Sequence, residues 1–167
     1  MIGPLLPLIV IAPLLLAVAW GDLRHMRIPN PLVLAVVAVF ALMAAVDPPA
    51  DLLGRVAVAL LVLALGFAAF CARLFGGGDV KMLAALMLFV PVSTLMLFSW
   101  VFVAAMLAGI ALILGLRQSD RVTALAAAAG WKTFSGQSNR LNRFPMGISI
   151  ALAGLLHPVA VTILAAG

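Results

Sequence analysis

The chain has 167 residues, of which 66% are hydrophobic and only 9% are charged. A soluble domain carries about a quarter charged residues, so this chain has too few charged residues to cover the surface of a soluble protein. The composition indicates one membrane-embedded domain over residues 1–167. The net charge of +5 would suggest nucleic acid for a soluble protein. In a membrane protein it marks cytoplasmic loops, so we expect a lipid bilayer and no nucleic acid as partner.

Six apolar runs predict an all-α polytopic membrane protein with six transmembrane helices. The first run nearly matches a hydrocarbon core of about 30 Å at about 1.5 Å per residue. It has no basic residue before it, so we interpret it as a retained helix rather than a signal peptide. The fourth run is short, which would place Asp79 in a cavity. The predicted spans are residues 2–20, 31–46, 52–72, 79–90, 92–116 and 145–164.

The distribution of basic residues predicts the orientation of these spans. With both termini on the non-cytoplasmic side, the loops 21–30, 73–81 and 117–144 are cytoplasmic, and 117–144 is expected to include a short interfacial helix over 119–130. Among the Lys and Arg residues, Arg55 alone then lies on the other side, which agrees with the positive-inside rule. The same topology places Asp22 and Asp79 together at the cytoplasmic face, whereas Asp47 and Asp51 fall opposite.

Few side chains are available for chemistry. One cysteine, Cys71, excludes an internal disulfide and a thiolate zinc cluster, and its apolar surroundings predict a buried side chain. Metal-assisted hydrolysis would need more His, Asp or Glu than one face supplies, so no metal and no cofactor are expected. His25 is the histidine nearest in sequence to Asp22, and we interpret it as a loop residue.

Two neighbouring carboxylates suit general acid–base chemistry. They cannot both ionise cheaply, so one stays protonated while the other is charged. The charged member can take a proton from water while the neutral member donates to a peptide carbonyl. Asp22 and Asp79 are therefore candidates for an aspartic protease pair, although Asp22 as an interfacial charge beside Arg24 and Asp79 as a helix cap are the alternatives.

The glycine run before Asp79 favours the interpretation of Asp22 and Asp79 as an aspartic protease pair. Gly76, Gly77 and Gly78 permit a tight turn and close backbone approach, so a substrate strand can lie beside Asp79. Lys81 is expected to steady this loop or to bias the charge of the pair.

These residues resemble a known family. Gly76-Gly77-Gly78-Asp79 matches the G-x-G-D motif of intramembrane aspartyl proteases, in the Gly-Gly-Gly-Asp-Val-Lys form of type IV prepilin peptidases. Asp22 followed by Ile28-Pro29-Asn30 resembles the other half of the signature, and Phe144-Pro145-Met146-Gly147 resembles the segment before the last span. The resemblance covers nearly the whole chain in order and spacing. It implies that Asp22 and Asp79 are the catalytic pair, with the three glycines, Lys81, Pro29 and Asn30 in supporting roles.

The resemblance also implies a substrate and a subtype. Larger members carry a domain with paired Cys-x-x-Cys motifs for N-methylation, so with Cys71 alone we expect the compact, peptidase-only form of Tad/Flp-type pili (the CpaA/TadV type). The implied substrate is a prepilin or pseudopilin with a basic leader and an apolar helix. It would be cut at the cytoplasmic face of the bacterial inner membrane, just before that helix and typically after a glycine.

Two other functions fit parts of the pattern. Another G-x-G-D protease, such as a preflagellin peptidase or a signal peptide peptidase relative, would act on a substrate without a pilin leader. A small cation or proton transporter would use the same two aspartates for ion binding. Transporters often show internal repeats and broken helices at the bilayer midplane. This sequence shows no repeat, and both aspartates lie at the ends of spans, so the peptidase is favoured.

Overall fold

A computed structural model of the protein describes residues 6–131, 133 and 145–166. Within these residues the chain is all-helical, which confirms the predicted fold class. The helices are α1 (Leu6–Val10), α2 (Ala12–His25), α3 (Asn30–Val46), α4 (Leu52–Cys71), α5 (Gly77–Met87), a 3-10 turn (Val92–Thr94), α6 (Leu95–Arg117), α7 (Asp120–Ala128) and α8 (Met146–Ala166).

The first predicted span, residues 2–20, differs from the structure in two ways: it is interrupted, and its second helix extends beyond residue 20. A turn at Ile11 separates α1 from α2, because the ring of Pro13 cannot follow the carbonyl of Ile9 in a regular helix and provides no N–H. At the other end, α2 continues past Trp20 to His25 and is closed by Met26 in the left-handed region. Asp22 therefore lies in the last turn of a helix, not in the predicted loop.

Helix α5 is the centre of the fold. It packs against α3, α4 and α8, and consecutive residues from Ala84 to Met87 are all buried. A helical segment that is buried on every side belongs to the interior, so the second half of α5 lies inside the protein. At 11 residues α5 is about 16 Å long, which is shorter than a hydrocarbon core of about 30 Å. It therefore serves as the support on which Asp79 is mounted.

Three described helices are long and apolar enough to cross a membrane: Leu52–Cys71, Val92–Arg117 and Met146–Ala165. The helix Asn30–Val46 is apolar but shorter. Large apolar side chains such as Leu60, Leu65 and Phe67 are exposed on α4, as expected for a surface that faces lipid. The count of six spans and the sidedness of the termini stay predictions.

The expected burial of Cys71 is wrong. The residue closes α4 and its side chain is exposed, because the helix ends there and the following turn leaves that side uncovered. A residue type that is usually buried was here a poor guide to its location.

At the end of the fold opposite Asp22 and Asp79, the buried Arg55 forms an ion pair with the partly exposed Asp51. The Arg55 side chain is 4% exposed and donates to Oδ1 of Asp51 at 2.7 Å, and its guanidinium also donates to the carbonyl of Phe89 at 3.2 Å. Oδ2 of Asp51 accepts the backbone N–H of Val92 at 2.9 Å. These bonds tie the start of α4 to the turn after α5. Asp47, Asp51 and Arg55 line a cavity of about 1030 Å³ at this end.

Candidate active site

Asp22 is buried although it belongs to the last turn of a surface helix. Its exposed fraction is 3%, because α2 packs against the last helix, α8, along most of its length. The backbone N–H of Gly147 donates to Oδ2 of Asp22 at 2.7 Å. Gly147 lies in the first turn of α8, where N–H groups have no partner within the helix and a negative charge is stabilised. Asp22 therefore serves as the anion at the N-terminus of α8.

This contact leaves no room for a side chain at position 147. A Cβ added to Gly147 would lie 2.8 Å from both Cβ and Oδ2 of Asp22, closer than real Cβ contacts come. Since Cβ of Asp22 is fixed by the α2 backbone, the clash cannot be relieved by rotating the side chain alone. Glycine at 147 is required for Asp22 to approach the helix.

Asp79 occupies the third position of α5, in its first turn. Its carboxylate accepts a hydrogen bond from the backbone N–H of Gly76, the residue that precedes the helix. This bond is one half of a capping box, in which the third helical residue reaches back to the cap. The alternative interpretation of Asp79 as a helix-capping group is thus realised in part, and it fixes the position of the carboxylate.

The two carboxylates influence each other. Burial raises the pKa of Asp22 to about 6, although the N–H of Gly147 favours its charged form. Burial and, as a smaller effect, the negative charge of Asp22 raise the pKa of Asp79 to about 7, although the N–H of Gly76 opposes the shift. Both groups lie outside the three long apolar helices. Near neutral pH the pair is therefore poised to hold one proton.

The two halves of the sequence signature meet beside this pair. A Cβ added to Gly78 would lie 3.1 Å from the carbonyl oxygen of Ile28, so the loop before α3 lies directly on the start of α5. The ammonium group of Lys81 donates to Oδ1 of Asn30 at 3.3 Å. Pro29 is exposed and precedes α3 as its N-cap residue. This bond connects the start of α5 to the start of α3, and the role of Lys81 at the site stays a prediction.

The glycine run provides space rather than an unusual backbone conformation. Among the described glycines a positive φ occurs at Gly130, and Gly76 has an extended backbone with φ of −76°. A Cβ at Gly76 would lie 2.5 Å from Oδ2 of Asp79, so this residue leaves room for the carboxylate. Gly77 lies on the other side, where a Cβ would be 3.4 Å from the ring of Phe70, a nearly ordinary contact.

A second group of residues supports the end of α2 and was not singled out from the sequence. Thr133 is buried, and its hydroxyl donates to the carbonyl of Leu23 at 2.6 Å. The Arg117 guanidinium donates to the carbonyl of Thr133 at 3.2 Å, and the rings of Trp20 and Trp131 meet edge to face at 5.4 Å. The segment after α7 therefore braces the helix turn that carries Asp22. No local sequence motif marks Thr133 as a packing residue.

The remaining candidates do not join the site. His25 is exposed at the end of α2, and within the ranges the structure describes no three His, Cys, Asp or Glu residues come close enough to hold a metal ion. Phe144 lies outside the described residues. Gly147 was named in the sequence analysis as part of a family segment but not as a site residue. In the structure it contacts the carboxylate of Asp22 directly.

Comparison with known proteins agrees with the expected family. The profile of the type IV leader peptidase family matches residues 9–114, a region that includes Asp22, Asp79 and the helices between them. No curated protein and no solved structure matches the chain. Because the family profile covers more than half of the sequence, and the apolar helices indicate a membrane protein, this chain belongs to the type IV leader peptidase family and is a peptidase.

Proposed function

We propose that this protein is an aspartic endopeptidase that removes the basic leader from type IV prepilin-like substrates of the Flp type. The observation that carries the proposal is that the charge of the buried Asp22 acts on the half-buried Asp79 in a member of this family. In this proposal the three glycines, Lys81, Pro29 and Asn30 support the starts of α3 and α5 next to the pair. Neither a metal nor a cofactor takes part in the proposed reaction.

The proton distribution suggests a role for each member of the pair. Asp22, with the lower pKa and the N–H of Gly147, is the charged base in the resting state. It takes a proton from a water molecule, whose oxygen attacks the scissile carbonyl carbon. Asp79, with the higher pKa, donates its proton to the carbonyl oxygen. The tetrahedral diol then collapses: the C–N bond breaks, the proton held by Asp22 passes to the leaving nitrogen, and one diol hydroxyl returns its proton to Asp79 as the carbonyl re-forms.

The basic loops support a cytoplasmic location for this chemistry. Arg24 lies in the last turn of α2, Arg27 follows that helix, and Lys81 follows Asp79, so the positive-inside rule supports a location of the pair at the cytoplasmic face of a bacterial inner membrane. A basic leader would not be attracted by these loops. We infer that substrate binding depends on the aspartates, on the apolar helix of the substrate and on the anionic lipid surface.

The proposal is tested by cleavage of a co-expressed prepilin, followed as a size shift on a gel. Asn is nearly isosteric with Asp but cannot exchange the required proton, so Asp22→Asn and Asp79→Asn should each abolish cleavage while the protein remains inserted. Asp47→Asn is the matched control, since Asp47 lies at the opposite end of the fold, and it should cleave like the wild type. Wild-type cleavage by either stable site variant would reject the paired mechanism and favour an ion-transport role for the remaining carboxylate.

A further inference from the structure

A second apolar cavity opens directly beside Asp79. Its volume is about 250 Å³, and it lies among α4, α5, α6 and α8. Its walls consist almost entirely of hydrocarbon, and Asp79 is the one ionisable group on them among the described residues. The lining includes Val62, Leu65, Leu83, Phe102, Ile150 and Asp79.

The packing of the helices explains why this space is open. Helix α4 packs mainly against α5, whereas α6 packs mainly against α8, so the cavity lies between two helix pairs. Asp79 and Leu83 are one turn apart on the same face of α5, which places the carboxylate at one end of the cavity and an apolar floor below it. Leu65 and Phe75 on its rim are 63% and 42% exposed, so the cavity opens towards the lipid-facing surface.

The size of the cavity limits what can enter. One turn of a helix, about 10 Å across and 5.4 Å long, occupies roughly 400 Å³, so a substrate helix cannot fit inside. Pockets for whole small-molecule ligands are typically about 300–1,000 Å³ and contain several polar groups. This cavity is smaller and has a single carboxylate, so it suits one large apolar side chain.

We propose that this cavity, the Asp79 pocket, binds one large apolar side chain of a substrate residue that flanks the scissile bond. The inference rests on the proposed function, because it uses Asp79 as the group that donates to the scissile carbonyl. A peptide whose carbonyl reaches Asp79 must place its neighbouring side chains within a few bond lengths of the pocket. An apolar side chain leaves water when it enters, whereas a charged one would lose its hydration without gaining a partner.

The test measures kcat/KM of the purified protein in detergent for prepilin peptides that carry Ala, Leu or Asp at either position flanking the cleaved bond. At one of the two positions, Leu should exceed Ala by about 10- to 100-fold, and Asp should be cut more slowly than Ala. Val62→Phe narrows the pocket and should reduce the preference for Leu to about twofold or less while Ala peptides are still cut. Leu83→Ala deepens the pocket and should shift the preference from Leu to Phe.

The matched control uses another cavity of similar size. Ile9 lines a space of about 330 Å³ beside Gly154 and Pro158, so Ile9→Phe should keep the wild-type preference. Equal cleavage of the Ala, Leu and Asp peptides, or an unchanged preference in both Val62→Phe and Leu83→Ala, would overturn the pocket while leaving the peptidase intact. Cleavage that persists in Asp79→Asn would instead reject the proposed function, and the pocket with it.

Discussion

The two ends of the molecule bury carboxylates in opposite ways. At the far end, Asp51 is bound by Arg55 at 2.7 Å and by the N–H of Val92. Burial alone would raise its pKa, but these bonds outweigh that effect and lower it. At the other end, Asp22 and Asp79 each accept one backbone N–H, burial raises the pKa values of both, and the negative charge of Asp22 adds to the shift of Asp79. The fold stabilises one carboxylate as an anion and leaves the other two able to exchange a proton.

This difference separates structural from chemical use of the same residue type. A carboxylate whose charge is balanced by a cation and by hydrogen-bond donors contributes to stability but cannot easily accept or donate a proton. Asp22 and Asp79 have no cation partner among the residues that the structure describes. Such a pair lowers the stability of the fold but titrates near neutral pH. Raised pKa values at a cleft are associated with active sites, and the far end lacks this property although it has the larger cavity.

Gly147→Ala should disturb the candidate site most. The added Cβ would press on Cβ and Oδ2 of Asp22 and move the carboxylate away from its N–H donor. Displacing a catalytic group by about 1 Å can reduce the rate by about 100-fold, so we expect kcat/KM for a prepilin peptide to fall by about that factor.

Gly21→Ala is the control for this prediction, because Gly21 precedes Asp22 and a Cβ there meets nothing within 4 Å. It should cleave like the wild type, and its helix should be slightly stabilised. Equal activity of Gly147→Ala and Gly21→Ala would show that the contact between Gly147 and Asp22 is not needed for catalysis.

Arg55→Met should leave the Asp51 carboxylate without its cation partner. Removing one partner of a buried ion pair costs about 3–5 kcal/mol. Because the Asp51 side chain is 34% exposed, we expect a smaller loss of about 1–3 kcal/mol in the free energy of unfolding. The loss would be measured as a lower Tm in detergent, and the activity of the folded fraction should be unchanged.

A second substitution distinguishes lost pairing from lost packing. In the double variant Arg55→Met with Asp51→Asn, the stranded charge is gone, and part of the Tm should return. If the double variant is as unstable as Arg55→Met alone, the stability of this end depends on the bonds from Arg55 to the α5 turn and not on the ion pair.

Lys81→Met should have the smallest effect. Arg55 compensates Asp51, whereas Lys81 binds Asn30 at an exposed position, and exposed pairs contribute little. We expect kcat/KM to fall by about threefold or less, with no change in the pH of maximal rate. A displaced pH optimum would show that Lys81 acts on the charge of the pair, which was its second expected role.

The sequence predicted the family and the helical class because each depends on local patterns, and the two aspartates, whose catalytic role stays a prediction, were selected from the same kind of pattern. Apolar runs, the placement of Arg and Lys, and the Gly-Gly-Gly-Asp and Ile-Pro-Asn segments can all be identified without tertiary contacts. The position of Asp22 within α2 was missed, because apolarity ends at Trp20 while the helix continues on backbone hydrogen bonds to Met26.

Other features depend on contacts between distant segments. The N–H of Gly147 reaches Asp22 over 125 residues, and Thr133 reaches Leu23 over 110; no local pattern indicates either bond. The Asp79 pocket likewise arises from how two helix pairs meet. Such features follow from tertiary packing, which composition and spacing along one chain do not specify.

The dependence of kcat/KM on pH tests the shared proton most directly. The account predicts a bell-shaped profile with its maximum between about pH 6 and pH 7, since the rate requires Asp22 charged, pKa about 6, and Asp79 protonated, pKa about 7. Below this window Asp22 gains a proton and the base is lost, and above it Asp79 loses its proton and the acid is lost. A rate that rises steadily from pH 5 to pH 9 would contradict the account, because it would mean that a single base carries the reaction.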